Sequence, residues 1–226
     1  MQIFLNTLIS EFNAHANIQI AHTQATYMKN NFIFLGLKTP LRRELQKPFL
    51  VKTFLPVKNE AFQMIKFLWQ KPEREFHYFA QELAFKYSEQ LEENDILLFE
   101  YMVTHQSWWD TVDFIAPKLV GMYFKQFPKK RNKYITKWVK TNNIWLQRSA
   151  ILFQLHYKIE LDTVLLSSII NELKNSNDFF IRKAIGWILR QYSRTNPNWV
   201  IDFVKNNNLN NLSSREALRL IKQTKL

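Results

Sequence analysis

Three glycines, Gly36, Gly121 and Gly186, are all that 226 residues contain, and this scarcity limits the possible folds more than any other feature. Hairpin turns and doubly wound βα units draw on glycine for left-handed turns and close backbone approaches. A chain nearly without it needs connections that other residues can make. Apolar residues recur with a helical period along almost the whole length. Short polar breaks divide them at Lys38-Thr39-Pro40, Gln70-Lys71-Pro72, Gln126-Phe127-Pro128, Thr141-Asn142-Asn143 and Thr195-Asn196-Pro197. Such breaks stop and restart helices of ordinary length, so the expectation is an all-α chain of roughly a dozen helices.

Composition enters where it bounds this picture. At 46% hydrophobic content the chain can bury a sizeable core, and with no linker or low-complexity tract a single domain is expected over residues 1–226. The chain has no cysteine, which excludes disulfides and thiolate zinc sites and fits a reducing compartment. The N-terminus lacks a basic stretch and meets Glu11 early, and no apolar run is long enough to span a bilayer. A cytoplasmic protein is expected. The five histidines (His15, His22, His77, His105, His156) show no metal-binding spacing, and there is neither a glycine-rich phosphate loop nor a GxSxG elbow. The sequence therefore points to no metal and no cofactor.

Charge is unevenly placed. Residues 1–113 carry 11 Lys/Arg against 13 Asp/Glu, whereas residues 114–226 carry 20 against 6, so the net +12 belongs to the C-terminal half. A polyanion on one side of the molecule would account for it, because phosphate neutralisation with counter-ion release gives sequence-independent affinity. A merely soluble basic surface is the plainer alternative. An anionic membrane fits less well, since the cations are spread over several helices.

An internal periodicity sharpens the reading. An apolar anchor is followed four residues later by alanine at Phe76/Ala80, Leu146/Ala150 and Phe180/Ala184, and inserting Trp109 gives steps of 33, 37 and 34. These lengths suit a two-helix repeat and hence a short α-solenoid. In that register Asp113 occupies the alanine slot. A carboxylate sealed there without partners would cost several kcal/mol, roughly 2–7 even for a neutral polar group, so Asp113 should face a cleft or meet a cation. Trp109 and Asp113, four apart, share one helix face, while Trp108 falls on the core stripe with Val112, Ile115 and Leu119. Arg148, among Ile144, Ile151 and Leu152, is the candidate cation. Two readings stay open: a structural Asp113–Arg148 salt bridge, or a cleft where Arg148 holds a phosphate and Asp113 meets developing positive charge. Trp187 has Lys183, Arg190 and Arg194 at helical spacing. That basic face suits a nucleic-acid groove, with cations for phosphate and a ring for sugar or base, unless the indole is half-buried under basic stems.

Together these residues carry a resemblance over essentially the full length. Tyr27-Met28-Lys29-Asn30 with Phe34-Leu35-Gly36, Trp108-Trp109-Asp110 with Asp113, Asn143-Ile144-Trp145-Leu146-Gln147-Arg148, Ala184-Ile185-Gly186-Trp187 and Thr195-Asn196-Pro197 resemble the AlkD-type DNA alkylation repair glycosylases. The resemblance implies a right-handed α-solenoid of HEAT-like two-helix repeats with a concave basic face. It further implies that Asp113 is the catalytic carboxylate, that Trp109 and Trp187 form an aromatic cleft against the lesion nucleotide, and that Arg148 holds the backbone beside it. Tyr27, Arg43, Phe179, Phe180 and Arg190 are implied as DNA contacts. His156 departs from the lysine expected there, and a neutral imidazole would weaken one phosphate contact.

The implied activity is that of a monofunctional glycosylase, acting as a monomer on double-stranded DNA at N3- or N7-alkylated purines without flipping the base into a pocket, and associated with the nucleoid when bound. Such bases are cationic, so the glycosidic bond is already weakened and no strong general acid is needed. A carboxylate can then stabilise the oxocarbenium-like sugar or orient water. The alternatives are a catalytically silent helical-repeat binder of damaged or branched DNA, and a protein-interaction solenoid.

Overall fold

The computed structural model describes residues 2–223. Among these residues the regular structure is helical, apart from an isolated bridge between Ile33 and Glu73. The chain is all-α, and the helices gather into two compact units, Met1–Glu92 and Glu93–Leu226.

The first unit holds α1 (Gln2–Ala14), α2 (Ile18–Tyr27), α3 (Thr39–Gln46), α4 (Lys58–Trp69) and α5 (Arg74–Phe85). Local signals place these ends. The Asn17 side chain accepts from the amides of Gln19 and Ile20, satisfying donors that α2 leaves open, and Pro40 sits in the first turn of α3, where its missing N–H costs nothing. The core is aromatic: Phe12, Phe76 and Phe79 are fully buried, and Phe12 stacks on Phe76 with centroids 5.6 Å apart. The segment before α3 is held by a buried side chain, since the Glu75 carboxylate accepts from the amides of Leu35 and Gly36 at 3.0 Å and of Leu37 at 3.1 Å. This crossing explains one of the three glycines. Gly36 has φ +90°, and an added Cβ would lie 2.0 Å from the Asn17 carbonyl oxygen and 2.8 Å from the Ala21 nitrogen. Gly36→Ala is expected to cost about 1–3 kcal/mol or more, from overlap together with left-handed strain. Denaturant unfolding of the two proteins checks it.

The second unit begins with α6 (Ile96–Thr104), α7 (Trp109–Phe114), a widened π turn over Ile115–Val120, and α8 (Gly121–Gln126). It continues with α9 (Pro128–Val139), α10 (Ile144–Leu152), α11 (Thr163–Leu173), α12 (Phe179–Tyr192), α13 (Pro197–Asn206), α14 (Asn211–Ala217) and α15 (Arg219–Gln223). All five polar breaks read from the sequence lie at or between helix ends. Asn143, Asp178, Asn196 and Asn210 cap the helices that follow them. The three anchor/alanine pairs fall on α5, α10 and α12 and the Trp109/Asp113 pair on α7, and Ala80, Ala150 and Ala184 are fully buried, as close helix packing requires.

The segment around Asp113 differs from a plain helix in two ways. Trp108 precedes the helix with extended backbone (φ −158°, ψ 165°), so it does not continue the stripe of Val112, Ile115 and Leu119, which are fully buried. It joins a cluster instead, with its ring 5.5 Å from Trp145 and 5.2 Å from Phe180. The π turn contains Pro117. A proline inside a helix cannot donate to the carbonyl four residues back and crowds it, and here that carbonyl belongs to Asp113. Such widened turns concentrate at functional sites. The Glu92-Glu93-Asp95 group, read from sequence as solvated, is so only in part, since Asp95 is buried. No described helix is long and apolar enough to cross a membrane.

Candidate active site

Asp113 on α7 meets Arg148 on α10 side by side. Arg148 Nε donates to Oδ1 at 2.7 Å and Nη2 to Oδ2 at 2.9 Å, while Nη1 donates to the Phe180 carbonyl at 2.5 Å. Two parallel charge-assisted bonds fix the carboxylate plane, and the third bond ties the guanidinium to the first turn of α12. Asp178 sets that turn, its side chain accepting from the amides of Phe180 and Ile181. The Arg148 side chain is 5% exposed and that of Asp113 is 20%. The sequence left a salt bridge and a phosphate-holding arginine as alternatives, and the pairing found is the salt bridge. Arg148 has little surface left for a phosphate, whereas each Asp113 oxygen accepts one Arg148 bond and the carboxylate stays partly exposed.

Burial raises the Asp113 carboxyl above its ordinary value, Arg148 opposes this through its hydrogen bonds and charge, and the nearby Asp110 charge adds to the rise. Desolvation thus outweighs the single cation that favours the ionised form. Around it lies an open cleft of about 320 Å³, which Trp109, Asp113, Arg148, Phe180, Lys183 and Trp187 line together with Phe179, Arg190 and Glu216. Trp109 and Asp113, which the sequence linked by spacing, thus share one surface with Trp187, which the resemblance set beside them. Phe180 joins the cleft to a ring cluster with Trp108 and Trp145, its centroid 4.9 Å from that of Trp145.

The family model for DNA alkylation repair enzymes matches residues 8–221. The chain belongs to the DNA alkylation repair enzyme family. Among solved structures it is similar to a protein described as a predicted DNA alkylation repair enzyme from Enterococcus faecalis, with 33% identity and a TM-score of 0.84, covering 90% of this chain and 95% of that one. No curated protein matches the chain.

The remaining expected contacts of this DNA alkylation repair enzyme are distributed over both units. Tyr27 and Arg43 belong to the first, and both are exposed; Tyr27 ends α2 just before Lys29 and Asn30, both at φ 56°. His156 is exposed and does not line the cleft. Partial desolvation, with the Lys118 charge in support, lowers the pKa of its imidazole and so favours the neutral ring. Arg194 is also outside the cleft and lines a smaller pocket of about 210 Å³ with Lys158, Gln191, Tyr192 and Thr195. The four basic and aromatic positions read from sequence as one helical face therefore divide: Lys183, Trp187 and Arg190 are on α12 and line the cleft, whereas Arg194 lies past the end of α12 at Tyr192.

Glu216 was not foreseen from the sequence. It stands on α14, 33 residues after Lys183, in a stretch that reads as surface: Ser-Ser-Arg-Glu-Ala-Leu-Arg. In the structure its carboxylate pairs with Lys183 at 3.0 Å and with Arg190. Gly186 makes this possible. An added Cβ there would lie 2.6 Å from Glu216 Cβ and 3.0 Å from the Ser213 carbonyl oxygen, so α12 and α14 touch where a larger residue would hold them apart. The glycine within Ala184-Ile185-Gly186-Trp187 was the one signal in the sequence that a second helix passes here.

Among the described residues no group of three or more His, Cys, Asp or Glu side chains could hold a metal ion.

Proposed function

We propose that this DNA alkylation repair enzyme is a monofunctional glycosylase, hydrolysing the N-glycosidic bond of purines made cationic by alkylation at N3 or N7 in duplex DNA. The observation that carries the reading is the Asp113 carboxylate, oriented by two Arg148 bonds, partly exposed, and opening into a cleft shared with two indoles. As the glycosidic bond breaks, its electron pair leaves with the base and neutralises the base's charge, while positive charge develops on the deoxyribose. Asp113 stabilises that charge, and water adds to the anomeric carbon and releases a proton to the carboxylate or to solvent.

Trp109 and Trp187 supply faces attractive to a cationic sugar or base, worth about 0.5–2 kcal/mol each. Lys183 and Arg190 hold the backbone phosphate, and Arg148 acts as the positioning residue of the carboxylate. Phe179 and Phe180 form the apolar wall, with Tyr27, Arg43, His156 and Arg194 as further DNA contacts. The open cleft suits capture from the backbone side better than extrusion of a base into a deep pocket. The reaction so written uses no cofactor, because the alkylated base is already a good leaving group, and one chain carries the whole cleft.

The test is release of 7-methylguanine and 3-methyladenine from methylated duplex DNA. Release above the spontaneous rate is the expected result. Salt-sensitive duplex binding without release would make the protein a silent binder of damaged DNA, and absence of both would point to a protein-interaction role.

A further inference from the structure

The cleft's two phosphate-binding cations are not free in the protein by itself. Lys183 and Arg190, each about one turn from Trp187 on opposite sides, both pair with the Glu216 carboxylate. Among the described residues, no other carboxylate lies within ion-pairing distance of either. Glu216 is largely covered, with 12% of its side chain exposed, against 37% for Lys183 and 24% for Arg190. Arg215 and Arg219 flank it on the same C-terminal stretch, and the charges of Arg190, Arg219, Arg148 and Arg215 all act on Lys183. This carboxylate, set among cations that line the cleft, gives one oxygen to Lys183 and the other to Arg190, as the two non-bridging oxygens of a phosphodiester could.

We propose that Glu216 is a built-in counter-ion that occupies the phosphate site of the cleft and gives up Lys183 and Arg190 when a DNA phosphate arrives. The proposal rests on the reading of the cleft as a DNA site. Its physical core is that a phosphate and a carboxylate cannot share the same two cations without like-charge repulsion at short range. Pairing with Glu216 satisfies two cations that would otherwise be partly buried and unmatched, and it keeps Lys183 and Arg190 placed on either side of Trp187. It also lowers the attraction of the cleft for any backbone, since one fewer cation is available to release counter-ions from DNA. The consequence is weaker holding of undamaged duplex, so the enzyme leaves unmodified sites sooner. Affinity at a lesion must then draw on contacts that do not depend on phosphate, which are those of the tryptophans and Asp113.

The test is equilibrium binding of the full chain to undamaged duplex across a salt series, for the parent, Glu216→Gln and Glu216→Met. Gln keeps the shape and one acceptor without the charge, and Met keeps the volume against Gly186. Both variants are expected to bind undamaged duplex roughly five- to tenfold more tightly at about 0.1 M salt, with the salt slope steeper by about 0.9. Adding Lys183→Gln to Glu216→Gln should remove most of the gain, which a change in fold alone would not do. Unchanged or weaker binding by both variants, with parental binding intact, overturns the role of Glu216 alone. Failure of both variants to fold overturns it too, because it would make Glu216 part of the packing and not an exchangeable ion. Parental binding without salt dependence would instead sink the DNA reading of the cleft itself.

Discussion

Asp113→Asn is expected to lower excision of 7-methylguanine by at least about 100-fold, corresponding to roughly 2.7–4 kcal/mol of lost charge stabilisation at the transition state. Affinity for undamaged duplex should stay close to parental, because the cations proposed to hold phosphate, Lys183 and Arg190, pair with Glu216 and not with the substituted side chain. The substitution is nearly isosteric, yet its amide nitrogen would face one of the Arg148 donors, now bonded at 2.7 and 2.9 Å. One of those bonds is lost and a guanidinium 5% exposed is left without its counter-charge, so stability should fall as well, by as much as about 3–5 kcal/mol. Single-turnover excision, measured below the variant's melting transition and with binding followed in parallel, separates the two effects. Parental excision by a folded Asp113→Asn protein would remove Asp113 from the chemistry.

Arg148→Met should produce the second large effect, and its signature lies in pH. In the parent, burial raises the Asp113 carboxyl above 3.8 and Arg148 restrains the rise. Excision needs the ionised carboxylate, so activity should fall on acidification through a value above the ordinary aspartate range. Removing Arg148 removes the restraint, and the acid limb of the excision profile should move to still higher pH. The stability effect runs the other way. A carboxyl whose folded pKa is raised contributes stability that is complete below its unfolded pKa and is lost as pH rises through the folded value. In Arg148→Met that window widens upward, so the penalty, of order 3–5 kcal/mol near neutrality, should shrink on acidification while activity disappears. Denaturant melts and excision rates on one pH series check both signs. An arginine that only held phosphate would weaken binding and leave the acid limb in place.

Much of this was legible in the sequence because it depends on neighbours within four residues. The five polar breaks fall at helix ends because capping side chains and prolines act on the adjacent turn, as Asn143 and Pro197 do. The shared surface of Trp109 and Asp113 follows from i, i+4 geometry. The alanine slot marked Asp113 as a residue that needed a partner, and Arg148 was named as that partner from its apolar neighbours alone. Trp108 was misplaced because its stripe assumed a helix already running, whereas the helix starts one residue later. Pro117 was in plain view, but whether a proline kinks, ends or widens a helix depends on what packs against it.

What the sequence by itself determined is the all-α character, the polar breaks between helices, the basic C-terminal half and the shared face of Trp109 and Asp113, to which the family resemblance added Trp187. Only the tertiary structure decided how the charges pair. Arg148 turns to Asp113 and the Phe180 carbonyl, 35 and 32 residues away; Lys183 and Arg190 turn to Glu216; and Arg194 is left to a separate pocket. The reason is one of range. Helix propensity and capping are settled by local hydrogen bonds, but an ion pair between distant residues forms only where packed helices bring two long side chains within about 3–4 Å. Close contacts such as Gly186 against Glu216 set those positions once the core has formed.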